Sequence, residues 1–253
     1  MIRAFRSDLL KLRRPRVLYG TLAALFGFTV LVTVLSVGTA TDHPAGRGVA
    51  TAALTATTGA TVGFANSARL VGLVIVVLFL TAVTTEYSLG TIRTLLTRQP
   101  RRPLLLLGKF AALLLSTATA LLAALVLSVA AATTTMRSRG LPVAAWFTGD
   151  GVWDIGASYV DALVAGLAYG ALGLALGVLV RGTVAAVGVA LVWFFMAENI
   201  AANLWADADR WFPGLLAGAA MAGETRGLAG APIVAAVALA VAVAVFTRRD
   251  VRT

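Results

Sequence analysis

The chain of 253 residues contains no cysteine and a single histidine, His43. The first absence excludes disulfides and thiolate metal sites, and the second leaves nothing from which to build a histidine-based zinc centre. No metal site is expected in this chain. Charge is scarce as well: 13% of the residues are charged and 59% are apolar, against about 25% and about 45–50% in soluble domains. That balance excludes an ordinary soluble fold and marks an all-α membrane protein. An intramembrane enzyme would need a nucleophile, paired carboxylates or metal ligands at helical spacing within the spans. No such cluster of His, Cys or acidic residues is present, so the chain is not expected to be an enzyme.

What is present is apolar length. About 20 residues at about 1.5 Å each cross the roughly 30 Å of hydrocarbon in a bilayer. Six runs qualify, at 17–37, 70–84, 104–132, 157–180, 183–202 and 231–247. The second is short, and the small residues Gly63 to Ala68 before Arg69 offer an earlier start. No internal repeat is visible, and the connections are too short for a folded soluble domain, so residues 1–253 read as a single transmembrane domain.

The net charge of +10 would suggest nucleic acid in a soluble protein, but in a membrane protein its distribution sets orientation. Most of the 21 basic residues fall in the ends and connections on the side of the two termini. The positive-inside rule therefore places both termini in the cytoplasm of a multi-pass protein of the cell membrane, with no nucleic-acid partner. Trp146, Trp153, Trp205 and Trp211 lie in or beside the opposite connections, where interfacial rings are expected. The Thr-rich stretch 51–63 on that side carries no evident signal. A basic start, an apolar run and "VGTAT" also fit a cleaved signal peptide, but the run exceeds the usual core of about 7–15 residues. An uncleaved first span is the preferred reading.

Ile2, Phe5, Leu9 and Leu12 recur at helical spacing among Arg3, Arg6, Lys11 and Arg13, and Pro15 follows. This pattern predicts an amphipathic helix over 1–16 lying on the anionic inner leaflet; topogenic charge alone is the alternative. In the fourth span Gly166, Gly170, Gly173 and Gly177 form one small-residue stripe. Another helix can approach it closely, either within the chain or from a second subunit.

Residues 85–103 form the longest internal connection on the cytoplasmic side. Gly90 suits a helix end, Thr91 an N-cap, and Leu89, Ile92 and Leu96 follow at spacings of 3 and 4, predicting a short surface helix. Glu86 and Arg93 are available to each other as a charge pair. A loop whose arginines meet only lipid phosphates is the alternative.

Glu86, the Gly90-Thr91 pair and the basic Arg93 and Arg98 ahead of the third span resemble the first cytoplasmic loop of the membrane subunits of ABC type 2 exporters. The likeness extends to the basic start, the six spans and "RWFPGLLAGAAM" between spans five and six. It implies that residues 85–103 hold a coupling helix, with Glu86, Gly90, Thr91, Ile92, Arg93 and Leu96 meeting a separate ATP-binding subunit. It also implies a second copy of the chain, or a homologous permease, to complete the pathway. No G-x-x-x-x-G-K-[ST] occurs, and Gly108-Lys109 lacks the preceding glycine. ATP and Mg would therefore be bound by the partner and not by this chain.

Asp161 and Glu198 sit a few residues inside the outer ends of the fourth and fifth spans, as candidates for lining or gating an export path. After the fifth span, residues 203–230 alternate charged and apolar patches around Pro213-Gly214. They read as short helices about a break, and the resemblance implies an outer re-entrant segment. A self-contained channel or an ion-coupled secondary transporter is the alternative function, although the charges crowd the ends of the spans. Few intramembrane charges point to a lipophilic or amphipathic cargo.

Overall fold

The structure is a computed structural model and describes residues 15–43, 48–89, 102–205 and 207–248. Among these, no strand forms beyond one isolated bridge between Thr41 and Ala50, and the rest of the ordered backbone is helical. Six helices are long and apolar enough to cross a membrane. Residues 1–14 of the amphipathic helix expected over 1–16, and the coupling positions Gly90, Thr91, Ile92, Arg93 and Leu96, lie outside the described residues, while Pro15 and Arg16 open the first span.

The first spanning helix, α1, is Pro15–Gly38. Three short pieces follow, α2 (Thr51–Thr55), a 3₁₀ turn (Thr57–Thr61) and α3 (Val62–Asn66), before the second span, α4 (Ala68–Ser88). The third, α5 (Arg102–Ser138), and the fourth, α6 (Gly149–Val180), are the longest. The fifth span is broken into α7 (Thr183–Ala190), a π-helical segment (Leu191–Ala197) and α8 (Glu198–Leu204). A short helix, α9 (Pro213–Met221), leads to the last span, α10 (Thr225–Arg248). Successive spans run in opposite directions, which gives the bundle a tryptophan end, holding Trp146, Trp153, Trp205 and Trp211, and a basic end, holding Lys109, Arg181 and Arg248.

The helix α6 occupies the centre, packed on α4, α10, α9 and α5, while α1 lies outside against α5 and α3. Between apolar helices in lipid the hydrophobic effect gives no preference for association, so close packing of small residues decides which faces meet. The glycine stripe of α6 serves that purpose within the chain. A Cβ at Gly173 would stand 2.9 Å from the Val76 Cα, one at Gly177 2.9 Å from the Leu80 carbonyl oxygen, and one at Gly170 2.8 Å from the Phe79 ring. Gly166 faces Leu121 of α5. The helices α4 and α6 thus touch almost backbone to backbone.

Several spans exceed their apolar runs, and local partners explain the excess. At about 1.5 Å per residue α5 is roughly 55 Å long, well beyond the hydrocarbon. Its polar end is held because the Arg139 guanidinium donates to the carbonyls of Val37 and Ala40, the latter at 2.6 Å, satisfying carbonyls where α1 ends. Within the bundle Thr33 Oγ1 and Ser128 Oγ lie 2.7 Å apart and bridge α1 to α5. In α10 the helix starts at Thr225, ahead of the expected 231, and runs through Pro232, as membrane helices tolerate.

The connection 51–63 departs from its featureless reading. It folds into helical turns that close the tryptophan end, with Leu54 and Ala60 fully buried and Phe64 buried just after it. Trp146 departs too: it is fully buried and not interfacial, and its Nε1 donates to the Leu54 carbonyl at 2.8 Å. A small satellite core of Val37, Leu54, Ala132, Met136 and Trp146 surrounds it. Trp153 and Trp211, in contrast, are exposed.

Candidate functional site

Two polar clusters interrupt the apolar bundle, one at each end. At the basic end Glu86, on the last turn of α4, accepts an ion pair from Lys109, two turns into α5, at 2.7 Å. Both side chains are nearly enclosed, and they line a small cleft with Val83, Leu105, Leu106 and Phe246. The Glu86–Lys109 pair forms because α4 and α5 return side by side and bring the two residues to one level; Arg93, which sequence spacing offered as a partner of Glu86, lies outside the described residues. Nearby, Thr183 donates to Thr84 at 2.9 Å, joining the start of α7 to the end of α4. The turn between α6 and α7 is made by Arg181 at φ 61°, a left-handed residue without glycine's freedom, whose guanidinium lies over the Tyr87 ring at 5.5 Å.

At the tryptophan end the cluster is built around Glu198. A π-helical segment bonds each N–H to the carbonyl five residues earlier, as the Glu198 N–H does to Trp193. Trp193 and Glu198 therefore lie one above the other, and the Trp193 Nε1 donates to Glu198 Oε1 at 3.0 Å. The same oxygen accepts the Gly214 N–H at 3.1 Å. That amide belongs to the first turn of α9, where Pro213 opens the helix and Phe212 provides no side-chain cap. Glu198, 2% exposed, thus caps α9 from a different span.

Other groups hold this arrangement in register. The Tyr169 hydroxyl of α6 donates to the Gly214 carbonyl at 2.9 Å, and its ring fills the space left by Gly72 of α4. Arg69, at the start of α4, donates to the Asn199 side chain beside Glu198. Gly214 has no room for a side chain, since a Cβ there would meet the Glu198 carboxylate and stand 2.6 Å from the Phe194 ring. Eight residues separate Asp161 from Tyr169, and about nine separate Gly223 from Gly214. Gly223, at φ 75°, lies against half-buried Asp161, a Cβ there standing 3.1 Å from its Oδ2. The helix α9 therefore runs antiparallel to α6, from the level of Tyr169 to that of Asp161, before the chain turns into α10.

Of the residues singled out in the sequence, Glu198 and Pro213 meet at the start of α9, and Asp161 stands at its far end. They do not share one cavity. Lys109, Tyr169, Trp193 and Arg69 escaped the sequence reading as site residues. The signal for Trp193 is the five-residue interval to Glu198, which a helix of 3.6 residues per turn does not place on one face. Among the described residues no group of three or more His, Asp or Glu side chains converges as a metal site would require.

The chain matches none of the curated proteins. A family model described as "Protein of unknown function (DUF2705)" matches residues 54–252. That range takes in five of the six spanning helices and every residue of both polar clusters. With most of its length covered, the chain belongs to the DUF2705 family.

Proposed function

We propose that the protein is the membrane-spanning permease subunit of an ATP-driven exporter of the ABC type 2 kind. In this reading it lies in the cell membrane with both termini cytoplasmic, so that the basic end faces the cytoplasm and the tryptophan end faces outward. ATP and Mg are bound by a separate ATP-binding subunit, and a second copy or a homologous permease completes the pathway. Residues 203–230, which include α9, are the outer re-entrant segment, and residues 85–103 carry the coupling helix.

The observation that carries this reading is the Glu86–Lys109 pair. It fastens the two spans that flank the basic connection 85–103, beside Phe246 of the last span. A push on that connection from a cytoplasmic partner is then delivered to two spans together, and not absorbed by bending one. The scarcity of charge inside the spans supports a lipophilic or amphipathic cargo moved by alternating access. Such a pathway has few ion-binding groups from which to draw energy.

The buried carboxylate of Glu198 beside a π-helical segment favours a second reading, an ion-coupled transporter working alone. One experiment separates the two. The tagged chain is extracted from its native membrane in mild detergent, and the copurifying proteins are identified by mass spectrometry. The exporter reading expects an ATPase with a phosphate-binding loop, reduced or lost on Glu86→Arg. Its absence across several mild detergents overturns that reading in favour of the self-contained transporter.

A further inference from the structure

We propose that Glu198 is the latch of α9: its carboxylate, carried on the fifth span, holds the helix docked in the bundle, and loss of the contact releases α9 as a unit. As a property of α9 this holds whatever powers the protein; as an outer gate it rests on the permease reading above.

Four features of the structure lead to this inference. The first is that α9 lacks a side-chain cap of its own, and the amide of Gly214 in its first turn is satisfied from another span. A buried carboxyl oxygen accepting a backbone N–H at a helix N-terminus satisfies a donor that would otherwise stay unpaired away from water. The second is the character of the remaining interface. The buried face of α9 consists of Gly214, Ala217, Ala219, Ala220 and Met221 against α6 and α10. Close packing of this kind holds only while the helix keeps its position, and the contacts of Glu198 and Tyr169 with Gly214 fix that position.

The third is the pair of joints. Residues 207–212 precede α9 with a single 3₁₀ turn, and Gly223 at φ 75° follows it, so the helix is bounded by bends at both ends. The fourth is the π-helical segment itself. It accommodates one residue more than an α-helix over the same length, so its conversion to α-helix would rotate everything beyond it by about 100°. That rotation would carry Glu198 away from Gly214 and break the cap without unfolding the span. Arg69, bonded to Asn199 next to Glu198, is the neighbouring cation in the docked form.

The absence of cysteine makes single-cysteine reporters clean. Ala217→Cys reports on the fully buried face of α9, and Ala124→Cys, equally buried in α5, reports on the bundle. The full-length chain in sealed proteoliposomes is treated with a membrane-impermeant maleimide. With Glu198 intact, both positions are expected to be protected. In Glu198→Ala the labelling of Ala217→Cys is expected to rise at least tenfold while Ala124→Cys stays protected, with Glu198→Gln intermediate because one acceptor oxygen remains. Gly214→Ala, which keeps Glu198 but pushes its carboxyl group away from α9, is expected to give the same selective rise. Unchanged labelling of Ala217→Cys in both Glu198→Ala and Gly214→Ala overturns the latch. An equal rise at Ala124→Cys in both also overturns it, because Glu198 is then part of the general core. Copurification of an ATPase is scored separately, so either proposal can fail without the other.

Discussion

The Nζ of Lys109 lies 2.7 Å from the Glu86 Oε1, and both side chains are almost entirely enclosed, so the second and third spans are joined by an ion pair inside the bundle. Breaking one partner of a buried pair leaves an uncompensated charge, at a cost of about 3–5 kcal/mol, whereas replacing both with apolar groups can be neutral. Glu86→Gln and Lys109→Met are each expected to lower the thermal unfolding midpoint in detergent, and the double variant is expected to recover most of the loss. Additive losses in this cycle, followed by tryptophan fluorescence, would show that the two residues are not coupled.

Trp146 joins two connections of the tryptophan end through one hydrogen bond to Leu54. In Trp146→Phe the Leu54 carbonyl remains buried without its donor, which costs about 1–3 kcal/mol. Trp146→Ala adds a cavity and is expected to cost about 3–5 kcal/mol. Limited proteolysis should show new cleavage within 51–66 in both variants, and more in the second.

Gly173 and Gly177 allow α6 to approach the backbone of α4, while Gly20 and Gly108 face open space. Alanine at Gly173 would overlap Val76, and the misfit is expected to cost about 1–3 kcal/mol or more. Alanine at Gly20 or Gly108 meets nothing and should leave the folded yield unchanged. The comparison is read from the monodisperse fraction after detergent extraction.

Arg181 holds a left-handed turn that most side chains resist. Asparagine adopts that conformation more easily but cannot reproduce the contact with Tyr87, so Arg181→Asn is expected to change stability by less than about 1 kcal/mol. Arg181→Val combines β-branching with a positive φ and is expected to be clearly more destabilising. Thermal unfolding of the two variants side by side checks the order.

The membrane class, the six spans and the all-helical fold were legible in the sequence because each rests on local apolar length. The glycine stripe was legible as a packing face for the same reason, its spacing being that of one helix. The pairing of Glu86 with Lys109 was not. The two are 23 residues apart in the sequence and meet because α4 and α5 return alongside each other. The buried state of Trp146 was equally hidden, since a tryptophan beside a loop has the same local pattern whether it faces lipid headgroups or a core of its own.

The sequence by itself determined that this chain lives in a bilayer, where its spans fall and which ends carry the positive charge, because hydrophobic length and charge act through composition over short stretches. Only the tertiary structure decided that the fifth span contains a π-helical segment, that Glu198 caps a helix belonging to another segment, and that Tyr169 of the fourth span holds the same residue, Gly214. Those contacts depend on one extra residue in a helical turn and on spans far apart in the chain meeting at one depth, neither of which a local pattern encodes.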